Sequence, residues 1–400
     1  MMNQTDSQTK RLSPWLPLLC FGLLMMALGI NDALRGIFAP IFQERYGLTD
    51  TMLSMIVTVS YAGNLLFLSI GGKLLDVFPR KKVTAAAICL WGLALIINLV
   101  SDSYYAILLT MFLALGASTL LNTTLNILAP AVFFGYGPLM VNILFFLQGI
   151  GTSGSQFLLG NYAFSFGGWK LINGIMLAAG VIVLILLSRL YVPQHTPAAQ
   201  GDAPGAAPLQ ARPEPARSVF WFFVAMFGFY FIGEHGIMNW LLSYCINAFD
   251  MPSARASGIL SLFWGGMTLG RLVLAPAVQK LGARRSLYLF GGAGTVLFVL
   301  GVVLGSSGLV ILGVSGFLIS VLYPTMVLLI QQVYPENVAA TRTGSIISLA
   351  TLADIAFNAL FGAAIDAFGY RVSFGILPVG MILFYLCYLI LMRKTRSMAN

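Results

Sequence analysis

Apolar runs of roughly 20 residues, each ended by turn residues or charges, recur along almost the whole chain. That is the length an α-helix needs to cross about 30 Å of hydrocarbon at about 1.5 Å per residue. The composition leaves no other home for them. Of 400 residues, 58% are hydrophobic and only 9% charged, whereas a soluble domain covers its surface with about a quarter charged residues. The chain therefore reads as an all-α polytopic membrane protein. Its first apolar run follows Lys10 and Arg11, as a secretory signal would. It is too long for a signal core and lacks an A-x-A-like exit, so it is read as a retained helix.

Twelve transmembrane helices are expected. Six lie at about 14–42, 51–78, 83–100, 104–130, 139–162 and 170–192, and six at about 218–249, 254–280, 285–306, 308–333, 342–368 and 372–392. The stretch between them is rich in Pro, Ala and Gly, the composition of a solvated linker. The expected domains are an N-terminal six-helix bundle over 1–192, a linker over 193–217 and a C-terminal six-helix bundle over 218–400. With the N-terminus in the cytoplasm, 15 Lys and Arg flank the helices on that side, against Arg45, Lys170, Arg255 and Arg371 on the other. Positive charge stays inside, so both termini and the linker are expected to be cytoplasmic. The short loops suggest a bacterial inner membrane.

The two halves echo each other. Gly168-Trp169-Lys170 recurs as Gly369-Tyr370-Arg371 after 201 residues, and the basic-ended segment from Gly72 recurs from Ala275 after 203. Two parallel six-helix repeats around a midplane site are what a rocking transporter requires. Other classes find no support. Cys20, Cys89, Cys245 and Cys387 fall in apolar runs without metal-ligand spacing. No H-E-x-x-H and no phosphate loop occurs, so neither enzyme, cofactor, metal site nor ATP-driven pump is expected. The net charge of +9 comes without a basic patch interleaved with aromatics, so nucleic acid is not an expected partner.

Gly72-Lys73-Leu74-Leu75-Asp76-Val77-Phe78-Pro79-Arg80-Lys81 resembles the loop motif G-x-L-A-D-R-x-G-R-K of the major facilitator superfamily. It departs from it at Val77 and Pro79. The resemblance implies a twelve-helix fold in two pseudo-symmetric bundles, mostly monomeric, with Gly72, Asp76 and Arg80 at a cytoplasmic gate. A narrower set resembles the fucose–proton symporter family. It comprises Tyr230, Gly233, Glu234, Trp240 and Tyr244 in span seven, Tyr323-Pro324 in span ten, and Asn126 and Asn142 in spans four and five, with Gln148 near a polar family position. That family places acids in spans one and four. Asp32 matches the first, but Asn122 stands at the second.

Five charges fall well inside predicted spans: Asp32, Glu234, Asp354, Arg35 and Arg271. Each costs at least ~2.5–3.5 kcal/mol at the bilayer centre, so each calls for a partner or a water-filled cavity. Asp32 and Glu234 are the expected proton-coupling acids. Arg35, one turn from Asp32, is either its static partner or an anchor for a carboxylate or phosphate. Asn122, Asn126, Asn142 and Gln148 are amides suited to replacing water around solute hydroxyls. Glu234 and Asn239 beside Trp240 and Tyr244 offer polar groups next to a flat apolar face. Arg271 and Asp354 are expected to pair structurally between spans eight and eleven, and His235 to be structural.

These features predict secondary-active transport of a sugar or sugar-like polar solute with protons, sodium being an alternative ion. The rival with the same fold is an organic-anion transporter using Arg35. Drug export is a further rival, which the absence of G-x-x-x-G-P-x-x-G-G from span five disfavours.

Overall fold

A computed structural model describes residues 15–133, 137–191 and 215–395. Of the expected linker over 193–217, residues 193–214 lie outside the described residues. The N-terminal half contains α1 (Trp15–Ile37), α2 (Ala39–Tyr46), α3 (Asp50–Val77), α4 (Arg80–Val100), α5 (Tyr104–Val132), α6 (Gly137–Tyr162) and α7 (Phe166–Arg189). The C-terminal half contains α8 (Arg217–Phe249), α9 (Ser253–Ser286), α10 (Gly292–Val303), α11 (Leu309–Ile319), α12 (Leu322–Val333), α13 (Glu336–Phe374) and α14 (Ile376–Lys394).

Eleven helical stretches among the described residues are long and apolar enough to cross a membrane. One of them, Ser253–Val303, is 51 residues long, far more than the ~20 a single crossing takes. It bends at Gly282, whose φ of 77° lies in the left-handed region that favours glycine. Cutting there yields two spans and twelve in all. Gly369, with φ 77°, ends the eleventh span in the same way.

Proline sets two further breaks. The first span is split at Phe38, with Pro40 in the opening turn of α2. The tenth is split between α11 and α12, where Pro324 has no N–H to give the carbonyl of Ser320 four residues back. That freed carbonyl becomes part of the site below.

Polarity sorts the helices. The outward faces carry large exposed apolar side chains, such as Leu93, Ile175, Val296, Leu300 and Ile382, as lipid contact requires. The inward faces of α1, α3, α6, α8, α9 and α13 hold the intramembrane polar residues. The halves meet along α3 with α13, α6 with α9, and α1 with α8.

At the end away from the linker the halves are fastened together. The Asp366 carboxylate on α13 accepts hydrogen bonds from the backbone N–H groups of Asp50 and Thr51 at 2.9 and 2.8 Å. It thus caps the N-terminus of α3 from the opposite half, where the helix dipole is positive. Ser54 Oγ donates to the Ala359 carbonyl at 3.3 Å, and Ser153 Oγ to the Ser261 carbonyl at 2.9 Å. Toward the linker end, Gly72 and Gly344 face open space.

Candidate functional site

Between the halves lies a cavity of about 390 Å³ lined from α1, α3, α5, α6, α8, α9, α12 and α13. Its size suits a small solute. Asp32, Arg35, Gln148, Glu234, His235 and Arg271 bring charge and polarity to its wall. It begins where α1 crosses α8 and extends toward the linker end. At that crossing a Cβ on Gly36 would stand 2.2 Å from the Met238 carbonyl oxygen, so the backbones touch only because residue 36 is glycine. This close approach brings Arg35 against α8.

Arg35 is 4% exposed and makes only neutral contacts. Its Nε donates to Asn239 Oδ1 at 2.8 Å, and Nη2 donates to the Tyr61 hydroxyl at 3.0 Å and more distantly to the Met238 sulfur at 3.7 Å. Nη1 reaches Ser60 Oγ at 3.4 Å. The guanidinium also lies 4.5 Å from the centre of the Tyr61 ring, a cation–π contact. Among the described residues the ion pairs are Arg45 with Asp102, Lys170 with Asp102 and His235 with Asp354, so no carboxylate oxygen lies within 4.0 Å of Arg35. The static Asp32–Arg35 pair is thereby corrected: Asp32 accepts from Ser118 Oγ at 3.0 Å and Gln148 Nε2 at 3.4 Å instead.

Arg271 is likewise not paired with Asp354, which corrects the second expected ion pair. Its Nε donates to the Ser320 carbonyl at 3.4 Å, the oxygen that Pro324 leaves without a backbone donor. Its side chain lines the cavity. Asp354, fully buried, pairs instead with His235 Nδ1 at 2.6 Å. It also accepts from Asn358 Nδ2 at 3.0 Å.

The flat apolar face is present but made of other residues. Trp240 packs edge-on against Phe361 and Tyr244 stacks on Phe374; both are buried and neither lines the cavity. The wall instead carries a run of rings. Tyr61 stacks on His235 with centroids 5.0 Å apart, His235 on Phe231 at 5.0 Å, and Phe231 on Tyr323 at 6.1 Å.

Of the other expected substrate contacts, Gln148 and Glu234 line the cavity, and Asn239 is buried behind Arg35 as its clamp. Asn122 and Asn126 lie about 4.5 and 10.5 Å along α5 past the lining residue Thr119, at about 1.5 Å per residue, Asn142 lies one turn before Phe145 on α6, and none of the three is among the lining residues. They are not brought to the wall. At the expected gate, Arg80 opens α4, while the Asp76 side chain lies outside the description.

Comparison with known proteins agrees with this architecture. The family model described as Major Facilitator Superfamily matches residues 19–347. Among curated relatives, the 3-(3-hydroxy-phenyl)propionate transporter of Escherichia coli is 23% identical, over 84% of this chain and 82% of that protein. The cis,cis-muconate transport protein of Acinetobacter baylyi is 23% identical, over 87% and 85%. The gallate transporter of Pseudomonas putida is 26% identical, over 89% and 86%. Among solved structures, a mutant of the nucleoside transporter NupG superposes with a TM-score of 0.75 at 11% identity, over 94% of this chain and 99% of that one. A D-xylose–proton symporter gives 0.70 at 12% identity, over 94% and 97%.

Proposed function

We propose that this chain, which belongs to the major facilitator superfamily, carries organic anions, with small aromatic or unsaturated carboxylates as its substrate class. The observation that carries the proposal is Arg35: a buried guanidinium on the cavity wall held only by neutral acceptors. An unpaired buried charge is costly, and an entering carboxylate would supply the compensation that no residue within contact of Arg35 does. Arginine suits that role because its planar fork matches a carboxylate. Arg271 offers a second positive group, and the Tyr61–His235–Phe231–Tyr323 wall offers a flat face for a ring or conjugated chain. The three curated relatives carry names of carboxylic acids, which supports the same class.

This places the organic-anion alternative ahead of the sugar expectation. A sugar site keeps Gln148 but loses Trp240 and Tyr244, which are packed away from the cavity. The energy source we propose is a proton gradient, with Asp32 and Glu234 at the cavity wall where protons reach them. The count of basic residues supports a cytoplasmic linker, and with it a cavity open to the cytoplasm; an inner-membrane, monomeric carrier is part of the same proposal.

The proposal is tested by calorimetric binding of matched acids and amides, such as 3-phenylpropionate and 3-phenylpropionamide. The acid binds at least about tenfold tighter, a difference of about 1.4 kcal/mol, and Arg35→Gln erases the preference. Equal binding of acid and amide, or selective binding of neutral sugars, overturns it.

A further inference from the structure

We propose that the His235–Asp354 pair binds a coupling proton, and that its occupancy sets how strongly Arg35 holds an anion; the second half rests on the anion reading above. The pair stands beside the cavity, with the His235 side chain 23% exposed and Asp354 sealed at 0%. The ring is held in place between Tyr61 and Phe231, so it meets water from one side while its Nδ1 remains on the buried acid.

What joins this pair to Arg35 is a chain of side-chain amides. Asn358 Nδ2 donates to Asp354 Oδ1 at 3.0 Å. Asn239 Nδ2 donates to Asn358 Oδ1 at 3.3 Å, and Arg35 Nε donates to Asn239 Oδ1 at 2.8 Å. The amide orientations follow from the ends of the chain. A carboxylate can only accept and a guanidinium can only donate, so each asparagine must turn its N–H toward Asp354 and its carbonyl toward Arg35. The last link crosses from the C-terminal half to the N-terminal half, at the contact where α1 meets α8.

The remaining charged and titratable groups around His235 are few. Of those lining the same cavity, Glu234 adjoins it on α8, Asp32 and Arg35 come from α1, Tyr61 from α3, Arg271 from α9 and Tyr323 from α12. Behind α8, α14 sets the apolar Leu377 and Met381 against Gly236 and Gly233.

The electrostatic consequence has a definite sign. With His235 protonated, imidazolium and carboxylate cancel and the charge of Arg35 is left for an anion. With His235 neutral, the Asp354 charge is unbalanced. It draws on Arg35 through the amides and repels an entering carboxylate. Proton and anion therefore bind cooperatively, and by linkage each raises the affinity of the other by the same factor. The proton is taken from cavity water by the second ring nitrogen and returned to water on the opposite side with the anion. An O–H bond of hydronium breaks as the N–H bond forms, the reverse occurs on release, and no other bond changes.

The chain contains two histidines, so His195→Gln leaves His235 as the sole imidazole for NMR of the otherwise full-length protein. We expect saturating 3-phenylpropionate to raise the midpoint of the His235 titration. In parallel, the Kd for 3-phenylpropionate should weaken at least about tenfold as pH rises through the titration, and His235→Gln should flatten the profile. An unmoved His235 titration in the presence of bound acid overturns the coupling even if the Gln variant fails to fold. So does acid binding whose pH profile survives His235→Gln; both leave the anion reading standing. Absence of acid binding at every pH overturns the anion reading, and the coupling with it.

Discussion

Arg35 Nε and Asn239 Oδ1 lie 2.8 Å apart, and this bond joins residues 204 positions apart in the sequence. It links α1 of one half to α8 of the other at the head of the cavity. Because Asn239 is neutral, it orients the guanidinium without cancelling its charge. The same contact therefore fixes the anion anchor and holds the halves together.

Placing an acid at that position should undo the first property and keep the second. Asn239→Asp sets a carboxylate on Arg35, forming a buried pair that satisfies the guanidinium internally. The expected result is a folded protein whose Kd for aromatic carboxylates rises at least about tenfold. Binding isotherms of wild type and variant at one pH check this.

The aromatic wall gives a different selectivity. Phe231 contributes a ring between His235 and Tyr323, so Phe231→Leu keeps the apolar volume but removes the stacking face. Aromatic carboxylates should lose about 0.5–1.5 kcal/mol, roughly twofold to twelvefold in affinity. Aliphatic acids of similar length should change by less than about twofold. Competition binding with the two acid types measures the difference.

Asp366 fastens the closed end by capping α3 across the interface. Hydrogen bonds to a charged acceptor are worth about 1.5–3 kcal/mol when buried and less here, where Asp366 is exposed. Asp366→Ala should shift the population toward the state open at that end without unfolding either half. Faster hydrogen exchange confined to the first turns of α3 and the facing part of α13 is the expected signature.

One pH effect lies outside the membrane. Asp102, in the loop before α5, is held below the usual carboxylate range, first by the hydrogen bond from Lys170 and then by the nearby charges of Lys170 and Arg45. A carboxyl whose folded value is depressed contributes stability above its unfolded value of about 3.9 and loses it as pH falls through the folded value. The group is exposed and screened by salt. The melting difference between wild type and Asp102→Asn should therefore be small at neutral pH, shrink in high salt, and vanish as pH falls below the depressed folded value.

The span count, the repeat and the five intramembrane charges were legible in the sequence because hydrocarbon imposes a length and charge stands out against it. Partnerships were not. Asp354 pairs with His235, 119 positions away, and no local spacing announces which of the helices converging on the cavity a buried acid will face. Trp240 and Tyr244 share a helix with Glu234, yet helical rotation turns them into the packing against Phe361 and Phe374. The stacked rings on the wall come from α3, α8 and α12, with Phe145 of α6 and Trp264 of α9 also lining the cavity, and in a chain with 29 Phe and 15 Tyr they carry no individual mark. Pro324 was visible as a motif residue. That it frees the Ser320 carbonyl for Arg271 follows only once α9 is set beside α12.

The most direct measurement is counterflow in proteoliposomes. Vesicles loaded with an aromatic carboxylate should take up the same labelled acid without any gradient of protons, wild type exchanging it and Arg35→Gln exchanging none. Neutral analogues should not compete. Exchange by Arg35→Gln at the wild-type rate, or competition by neutral sugars in place of acids, would contradict the assignment of this cavity to organic anions.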